Sequence, residues 1–464
     1  MIPGDPLREG TQMLRPEDRI LVTDLYELTM AQAYWAHGVT GLATFSLFVR
    51  DLPPERGFLV AAGLEDVLRF LEDFRFPPEA LEYLESTGIF ARPFLDYLAE
   101  LRFTGDVWAV PEGTLVFAQE PILEITAPII QAQIAETYVI NQVHLQTMIA
   151  TKAARCVAAA RGRGVVDFAL RRTHGVDAGL KVARCSYLVG FQATSNVLAG
   201  KVYGIPITGT MAHSFIMAFA EEEEAFRAFA ETFPERAIFL IDTYDTLEGA
   251  RRAARVGLEL RERGRRLLGV RLDSGDLLAL SREVRRILDE AGLPEVRILA
   301  SGGLDEYRIE ELVQAGAPID AFGVGTRMGV SEDWPWLDMA YKLVAYEGRP
   351  ARKLSPGKAS LPGPKQVFRF YDEEGKMKED ILALREERIE GGMPLLEKVM
   401  EGGRLLRPHP ALAELRERFR EAFGRLPEPY KALREAPRYP VRLSPGLEAL
   451  ANTRTAPREA LGES

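Results

Sequence analysis

The residues best suited to chemistry in this chain stand in five short clusters. They are Gly209-Thr210-Met211-Ala212-His213-Ser214, Asp242-Thr243-Tyr244-Asp245, Arg271-Leu272-Asp273-Ser274-Gly275, Ser301-Gly302-Gly303 and Gly323-Val324-Gly325-Thr326-Arg327. Glycine lets backbone N–H groups approach an anion, and a following helix N-terminus adds a positive dipole. A single Gly-Gly pair reads as a tight turn. Two glycine clusters at successive strand ends, the second beside Arg327, read as a phosphate site. Arg171, Arg172 and Arg271 supply the planar donors suited to carboxylate or phosphate. An ion pair with Asp273 is the structural duty open to Arg271.

Asp242, Asp245, Asp273 and Asp276 form two Asp-x-x-Asp pairs. Carboxylates beside a phosphate site suit Mg²⁺ shared with substrate oxygens, or hydrogen bonds to ribose hydroxyls. Asp245 and Asp276 precede helices and are read as N-caps. Asp242 and Asp273 remain as the functional pair and the expected magnesium ligands. His213, flanked by Thr210 and Ser214, can serve as acid, base or phosphoryl-accepting nucleophile. No Gly-x-x-x-x-Gly-Lys-Ser/Thr, Gly-x-Ser-x-Gly or His-Glu-x-x-His is present, so a P-loop, a serine-hydrolase elbow and a zincin site are excluded. The acidic run from Glu221 to Glu224 is read as first-turn acids complementing a helix dipole.

The elements that position these residues follow from their recurrence. His213, Asp242, Asp273, Ser301 and Gly323 are 22 to 31 residues apart, the length of a strand-loop-helix-loop unit. Candidate strands are 165–169, 190–193, 205–208, 238–242, 268–273, 296–300 and 320–324, with helices over 246–263 and 276–291. Chemistry at the C-terminal ends of mainly parallel strands is the plan of a β/α barrel. Upstream, Asp24 and Glu27 predict a capping box opening a helix that Gly38 stops. Strands are expected at 43–49 and 105–125, helices at 61–74 and 78–85, and a long helix over 131–160. Downstream of Tyr341, strands bracket Pro-Gly turns at 353–357, 361–365 and 366–371, then charged helices run to about Phe423. The segment after Pro427 is read as a surface-wrapping or poorly ordered tail, and residues up to about Arg19 as a weakly ordered lead-in.

The expected fold is therefore α/β. Residues 1–126 form an N-terminal α+β domain, 127–341 an irregular β/α barrel-like catalytic domain, and 342–464 strands and helices packing on it with a surface tail. At 464 residues, 47% apolar and 27% charged, the chain can bury a large core and has no apolar run long enough to span a membrane. Its Met-Ile-Pro-Gly-Asp-Pro start lacks a basic region leading into an apolar one, so no secretory signal is expected. A net charge of −10 gives no general field for nucleic acid or an anionic membrane. The two cysteines, Cys156 and Cys185, are not at metal-ligand spacing and fit buried thiols of a reduced cytoplasmic protein.

Several motifs in order resemble the nicotinate phosphoribosyltransferase family. They are Thr23-Asp24-Leu25-Tyr26-Glu27-Leu28-Thr29-Met30, Leu170-Arg171-Arg172, Gly209-Thr210-Met211-Ala212-His213-Ser214-Phe215, Leu272-Asp273-Ser274-Gly275-Asp276, Leu361-Pro362-Gly363 and Lys365-Gln366-Val367. The resemblance runs from about Thr23 to Arg369. It implies transfer of phosphoribose from 5-phosphoribosyl-1-diphosphate to nicotinate, giving nicotinate mononucleotide and diphosphate, coupled to ATP hydrolysis and requiring Mg²⁺. It also implies a homodimer with shared active sites. By the same resemblance Tyr26 stacks on the pyridine ring from the partner subunit and Phe168 covers the other face. Thr210 and Arg271 hold the nicotinate carboxylate. Arg171, Ser301, Gly302, Gly303, Gly323, Gly325 and Thr326 hold the phosphoribosyl diphosphate. His213 is the histidine transiently phosphorylated by ATP, with Asp242 orienting it.

Ser195 bears on the choice of acid over amide. It occupies the place where related nicotinamide-using enzymes carry an Asp, and a hydroxyl can donate to a carboxylate. Its structural alternative is capping the helix that begins at Asn196. Transfer to nicotinamide or quinolinate is the alternative within the same chemistry, although quinolinate calls for a denser basic cluster. A phosphate-binding barrel lyase is the alternative outside it, and predicts a lysine in the barrel strands, which lack one.

Overall fold

Short apolar strands alternating with capped amphipathic helices build the part of the chain that carries the clusters. In the computed structural model, residues 15–353 and 360–453 are described. They fall into two compact units, residues 1–148 with 336–464, and residues 149–335. The chain passes from the first to the second within the helix Glu136–Ala160.

The second unit holds six strands: β1 (Gly164–Asp167), β2 (Ala193–Thr194), β3 (Ile238–Leu240), β4 (Gly269–Leu272), β5 (Arg297–Ala300) and β6 (Ala321–Val324). They pair in the order β2-β1-β6-β5-β4-β3, every pair parallel, as a curled half-barrel. Helices between the strands bury one face. Leu277–Glu290 buries Leu277, Ser281, Val284, Ile287 and Leu288, spaced three, four and one apart. Each large apolar side chain so buried contributes about 1.5–3 kcal/mol. In Thr246–Glu262 the buried stripe is of small residues, and a Cβ on Gly249 would stand 2.1 Å from the Ile241 carbonyl oxygen. Helix and strand therefore approach closely just where Asp242 follows β3. Asp245 and Asp276 cap these helices as expected, accepting from Glu248 N and from Leu278 N and Ala279 N.

The seventh expected strand, over 205–208, does not form. Ile207 makes one isolated bridge to Thr194, so the segment crosses the end of β2 without joining the sheet. Arg171 and Arg172 likewise stand on a 3₁₀ turn, Leu170–Arg172, just after β1.

The first unit is built on a seven-stranded antiparallel sheet. Its strand Leu42–Val49 is flanked by Met339–Tyr346 and by the central strand Pro121–Pro128. Segments read from sequence as separate N-terminal and C-terminal regions thus share one sheet. Strands at Met377–Leu384 and Glu397–Glu401 stand where charged helices are expected, burying Met377, Leu382, Val399 and Met400. The described part of the tail is packed, in line with the surface-wrapping alternative rather than the poorly ordered one. Val441–Leu443 pairs with Met377–Leu384, and Leu433, Tyr439 and Leu447 are buried. The lead-in ends in a 3₁₀ helix, Pro16–Leu21, that buries Ile20. Residues 1–14 of the lead-in, most of the strand expected at 353–357 and residues 454–464 of the tail lie outside the described residues.

The helix Leu25–Ala36 opens at Asp24, but no capping box forms. Thr137 Oγ1 instead lies 2.8 Å from Asp24 Oδ2 and 2.7 Å from Glu27 Oε1, its one proton serving either, and Glu27 also accepts from Thr137 N and from the Thr23 hydroxyl. Glu27 is completely buried, which pushes its carboxyl up to about 7 against those hydrogen bonds.

Candidate active site

The C-terminal ends of the parallel strands surround an open cavity of about 650 Å³. Its wall includes Phe168 and Arg171 after β1, Ser195 after β2, Thr210 and His213 from the long β2–β3 connection, and Arg271 and Asp273 at the end of β4. Ser301, Gly302 and Gly303 after β5, and Gly323, Gly325 and Thr326 at β6, complete it. Four guanidinium groups (Arg171, Arg172, Arg271, Arg327) face it against two carboxylates, Asp273 and Glu332. That balance suits a polyanionic ligand in a chain whose net charge is negative.

Arg271 organises the floor. Its Nε donates to Thr210 Oγ1 at 3.1 Å, Nη2 to the Met211 carbonyl at 2.7 Å, and Nη1 to Asp273 Oδ1 and Ser301 Oγ at 3.1 and 3.0 Å. Burial lowers its pKa, opposed by the carboxylates of Asp273 and Asp242. Such an arginine has its position fixed before ligand arrives, so less freedom is lost on binding.

His213 opens the short helix His213–Met217. Its Nδ1 lies 3.1 Å from Thr243 Oγ1, and its Nε2 lies 3.8 Å from Asp273 Oδ2. Asp242, expected beside the imidazole, has a different duty. Its Oδ2 accepts from Asp273 N at 2.9 Å and Ser274 Oγ at 2.6 Å, fixing the end of β4, and it does not line the cavity. The reason is register: the strand end points Thr243, one residue on, toward the ring.

The glycines divide by function. Gly302, at φ +87°, lies so close to β4 that an added Cβ would be 1.9 Å from the Asp273 carbonyl oxygen. Gly323 leaves room for an aromatic ring, since a Cβ there would be 2.5 Å from Phe168 Cε2. Its direct work is therefore seating Phe168. Ser195 does not cap the next helix: Asn196 does, accepting from Ala199 N at 3.0 Å, and Ser195 lines the cavity.

The lining comes from the second unit alone. Tyr26 stands on the first unit, 46% exposed in the first turn of Leu25–Ala36, its phenol raised in pKa by burial and then by Glu136, Glu27 and Asp24. Sequence reasoning did not single out Glu332, which pairs with Arg327 at 3.1 Å, or Thr243. Thr243 was legible from its place directly after Asp242; Glu332 carried no signal.

Among the described residues no group of three or more His, Cys, Asp or Glu side chains is gathered to hold a metal. Asp242 does not line the cavity; its Oδ2 accepts from Asp273 N and Ser274 Oγ, and its Oδ1 is enclosed without a hydrogen-bond partner. Asp273 lines the cavity, with Oδ1 bonded to Arg271 and Ser301. A lone carboxylate fits a magnesium ion that takes its other oxygens from phosphate and water.

Comparison with known proteins adds to this geometry. The nicotinate phosphoribosyltransferase family model matches residues 164–345, its N-terminal domain residues 21–144 and its C-terminal domain residues 392–451. The chain belongs to the nicotinate phosphoribosyltransferase family. It is 53% identical to nicotinate phosphoribosyltransferase pncB2 of Mycobacterium tuberculosis, covering 91% of each chain, and 39% identical to the Bacillus subtilis nicotinate phosphoribosyltransferase, covering 91% and 92%. The crystal structure of human nicotinic acid phosphoribosyltransferase superposes with a TM-score of 0.82 at 32% identity, covering 93% of this chain and 99% of that one. A Pyrococcus furiosus nicotinate-nucleotide pyrophosphorylase gives 0.74 at 26% identity, covering 90% and 98%. Membership makes the chain an enzyme, a phosphoribosyltransferase. Within nicotinate phosphoribosyltransferases the α/β fold with its curled parallel sheet is thus expected, and it is the fold observed here.

Proposed function

We propose that this chain joins nicotinate to 5-phosphoribosyl-1-diphosphate, giving nicotinate mononucleotide and diphosphate, as a step of NAD biosynthesis coupled to ATP hydrolysis. The observation that carries the reading is one wall of the cavity. Arg271, held by Thr210, Met211, Asp273 and Ser301, stands with Ser195 in the same cavity as a Phe168 ring seated over Gly323. A planar acid fits there, its carboxylate on Arg271 and Thr210 with Ser195 donating, and its ring on Phe168. The loops 301–303 and 325–326 with Arg171 take the phosphoribosyl and diphosphate oxygens.

Displacing diphosphate from the anomeric carbon develops oxocarbenium-like charge on the sugar and negative charge on the leaving group. The protein's work is positioning the pyridine nitrogen in line and neutralising the diphosphate, so no covalent sugar intermediate is needed. Asp273 is the residue suited to hold Mg²⁺ with the diphosphate; the ion supplies charge neutralisation of the leaving oxygens. His213 accepts the γ-phosphoryl group of ATP: a ring nitrogen bonds to phosphorus, ADP leaves, and water later releases phosphate. Thr243 occupies Nδ1, so Nε2 is the accepting atom.

The working form is a homodimer with Tyr26 of one subunit reaching the site of the other. Exposed apolar side chains support an unfilled surface on each unit: Leu25, Tyr26 and Leu42 on the first, Val176, Val197 and Val202 on the second. Two buried cysteines outside any disulfide, Cys156 and Cys185, support action in the reducing cytoplasm. No helix among the described residues is long and apolar enough to cross a membrane.

Labelled ATP tests the coupling. Wild-type protein should form an acid-labile phosphoenzyme, and His213→Ala should form none while retaining slow, ATP-independent diphosphate release. Undiminished phosphoenzyme in that variant would contradict the assignment.

A further inference from the structure

Asp167, the last residue of β1, is a carboxylate that the reaction does not use and that is 1% exposed. Burial raises its pKa, against the hydrogen bonds of Thr194 and Ala169. Burying a carboxylate is unfavourable unless its oxygens are satisfied, and here each has one well-formed donor. Oδ1 accepts from Ala169 N at 2.8 Å, closing a turn around Phe168. Oδ2 accepts from Thr194 Oγ1 at 2.7 Å. The Asp167 carbonyl accepts from Ser195 N at 2.8 Å. The Thr194 hydroxyl in turn accepts from Asn196 N at 3.0 Å.

One residue therefore clamps the backbone on both sides of two cavity residues, Phe168 through Ala169 and Ser195 through Thr194 and Asn196. The pairing of β1 with β2 is only two residues long, Val166 with Ala193 and Asp167 with Thr194. With a ladder that short, the separation of Phe168 and Ser195 rests on the backbone bond from Ser195 N to the Asp167 carbonyl and on the side-chain bonds of Asp167. Phe168 is fixed on its other side by its N–H to Val324 O at 2.8 Å, so Asp167 governs the remaining freedom.

We propose that Asp167, acting through Thr194, is a positioning residue for the aromatic acid: it sets the distance between the ring-stacking Phe168 and the carboxylate-facing Ser195. This rests on the reading that the pyridine acid lies between those two residues. In Asp167→Asn the acceptor for Ala169 N remains, but the amide nitrogen faces a Thr194 hydroxyl that already accepts from Asn196 and must find a new acceptor for its proton.

Steady-state diphosphate release, with each substrate varied in turn, is the test. Losing one hydrogen bond to a charged group is expected to raise the nicotinate KM of Asp167→Asn at least about tenfold. The KM for 5-phosphoribosyl-1-diphosphate and kcat should stay within about threefold, since Arg171 and the glycine loops have no bond to the Asp167 side chain. Thr194→Val should reproduce the effect and Thr194→Ser should restore most of it. The double variant Asp167→Asn/Thr194→Val should be no worse than the worse single one, as expected of one linked unit. A general structural role would move both KM values and kcat together, and that result overturns the proposal, as does an unchanged nicotinate KM in both Asp167→Asn and Thr194→Val. Ser195→Ala distinguishes the two failures. If it raises the nicotinate KM while Asp167→Asn and Thr194→Val do not, the positioning role alone is wrong; if it too changes nothing, the placement of the acid is wrong.

Discussion

Replacing Gly323 by alanine should weaken nicotinate binding through a single aromatic ring. Gly323 lies inside β6, in ordinary strand backbone, so an added methyl acts by contact alone. Its Cβ would stand 2.5 and 2.6 Å from Phe168 Cε2 and Cδ2, and 3.2 Å from Ser301 Cβ. Carbon atoms prefer about 3.5–4.0 Å, so the ring must retreat by about 1 Å. Overpacking of this kind costs about 1–3 kcal/mol of stability, small enough to leave a folded enzyme. An aromatic stack contributes roughly 0.5–1.5 kcal/mol, so its loss should raise the nicotinate KM about two- to thirteenfold. The assay is diphosphate release at saturating 5-phosphoribosyl-1-diphosphate, with thermal unfolding as a control for folding. A folded Gly323→Ala enzyme with an unchanged nicotinate KM would refute the stacking role of Phe168 and return Gly323 to the phosphate site.

Ser195→Asp puts a carboxylate against the bound acid; it should cut kcat/KM for nicotinate by at least about 100-fold and raise activity with nicotinamide, both read by diphosphate release. Gly302→Ala meets the Asp273 carbonyl at 1.9 Å, which cannot yield as a side chain can, so it should raise the KM for 5-phosphoribosyl-1-diphosphate well beyond that for nicotinate. Glu27 has a folded pKa of about 7, above the 4.5 of an ordinary Glu, so its contribution to stability is full below about 4.5 and lost as pH rises through about 7. Denaturant unfolding should therefore show wild-type stability falling by up to about 3 kcal/mol between pH 5 and 8 relative to Glu27→Gln, and parallel curves for the two would contradict this.

The strand-end clusters were legible because strand, loop and helix lengths repeat, and because Asp, Gly, Arg and His rarely gather at such intervals without a site to serve. Arg171, Thr210, His213, Arg271 and Asp273, read from their place at strand ends, and Phe168 and Ser195, supplied by the family resemblance, do line one cavity. What escaped were pairings between segments. Asp242 reads as the partner of His213, whereas the fold directs it to Asp273 N and Ser274. Gly323 reads as a phosphate-loop glycine, yet only the packing of Phe168 reveals its closest neighbour. Asp167 was invisible for the same reason: a carboxylate at a strand end gives no sign of the threonine across the ladder. In the first unit, charged strands such as Glu397–Glu401 passed for helix because their few buried residues are too sparse to show the two-residue period.

The measurement that bears most directly on the account is the ratio of kcat/KM for nicotinate to that for nicotinamide, taken from diphosphate release with 5-phosphoribosyl-1-diphosphate, Mg²⁺ and ATP. A wall of Arg271, Thr210 and Ser195 predicts a ratio above about 100 in favour of the acid, since an amide offers these donors one neutral oxygen where the carboxylate offers two charged ones. A ratio near one, or one that favours the amide, would contradict it.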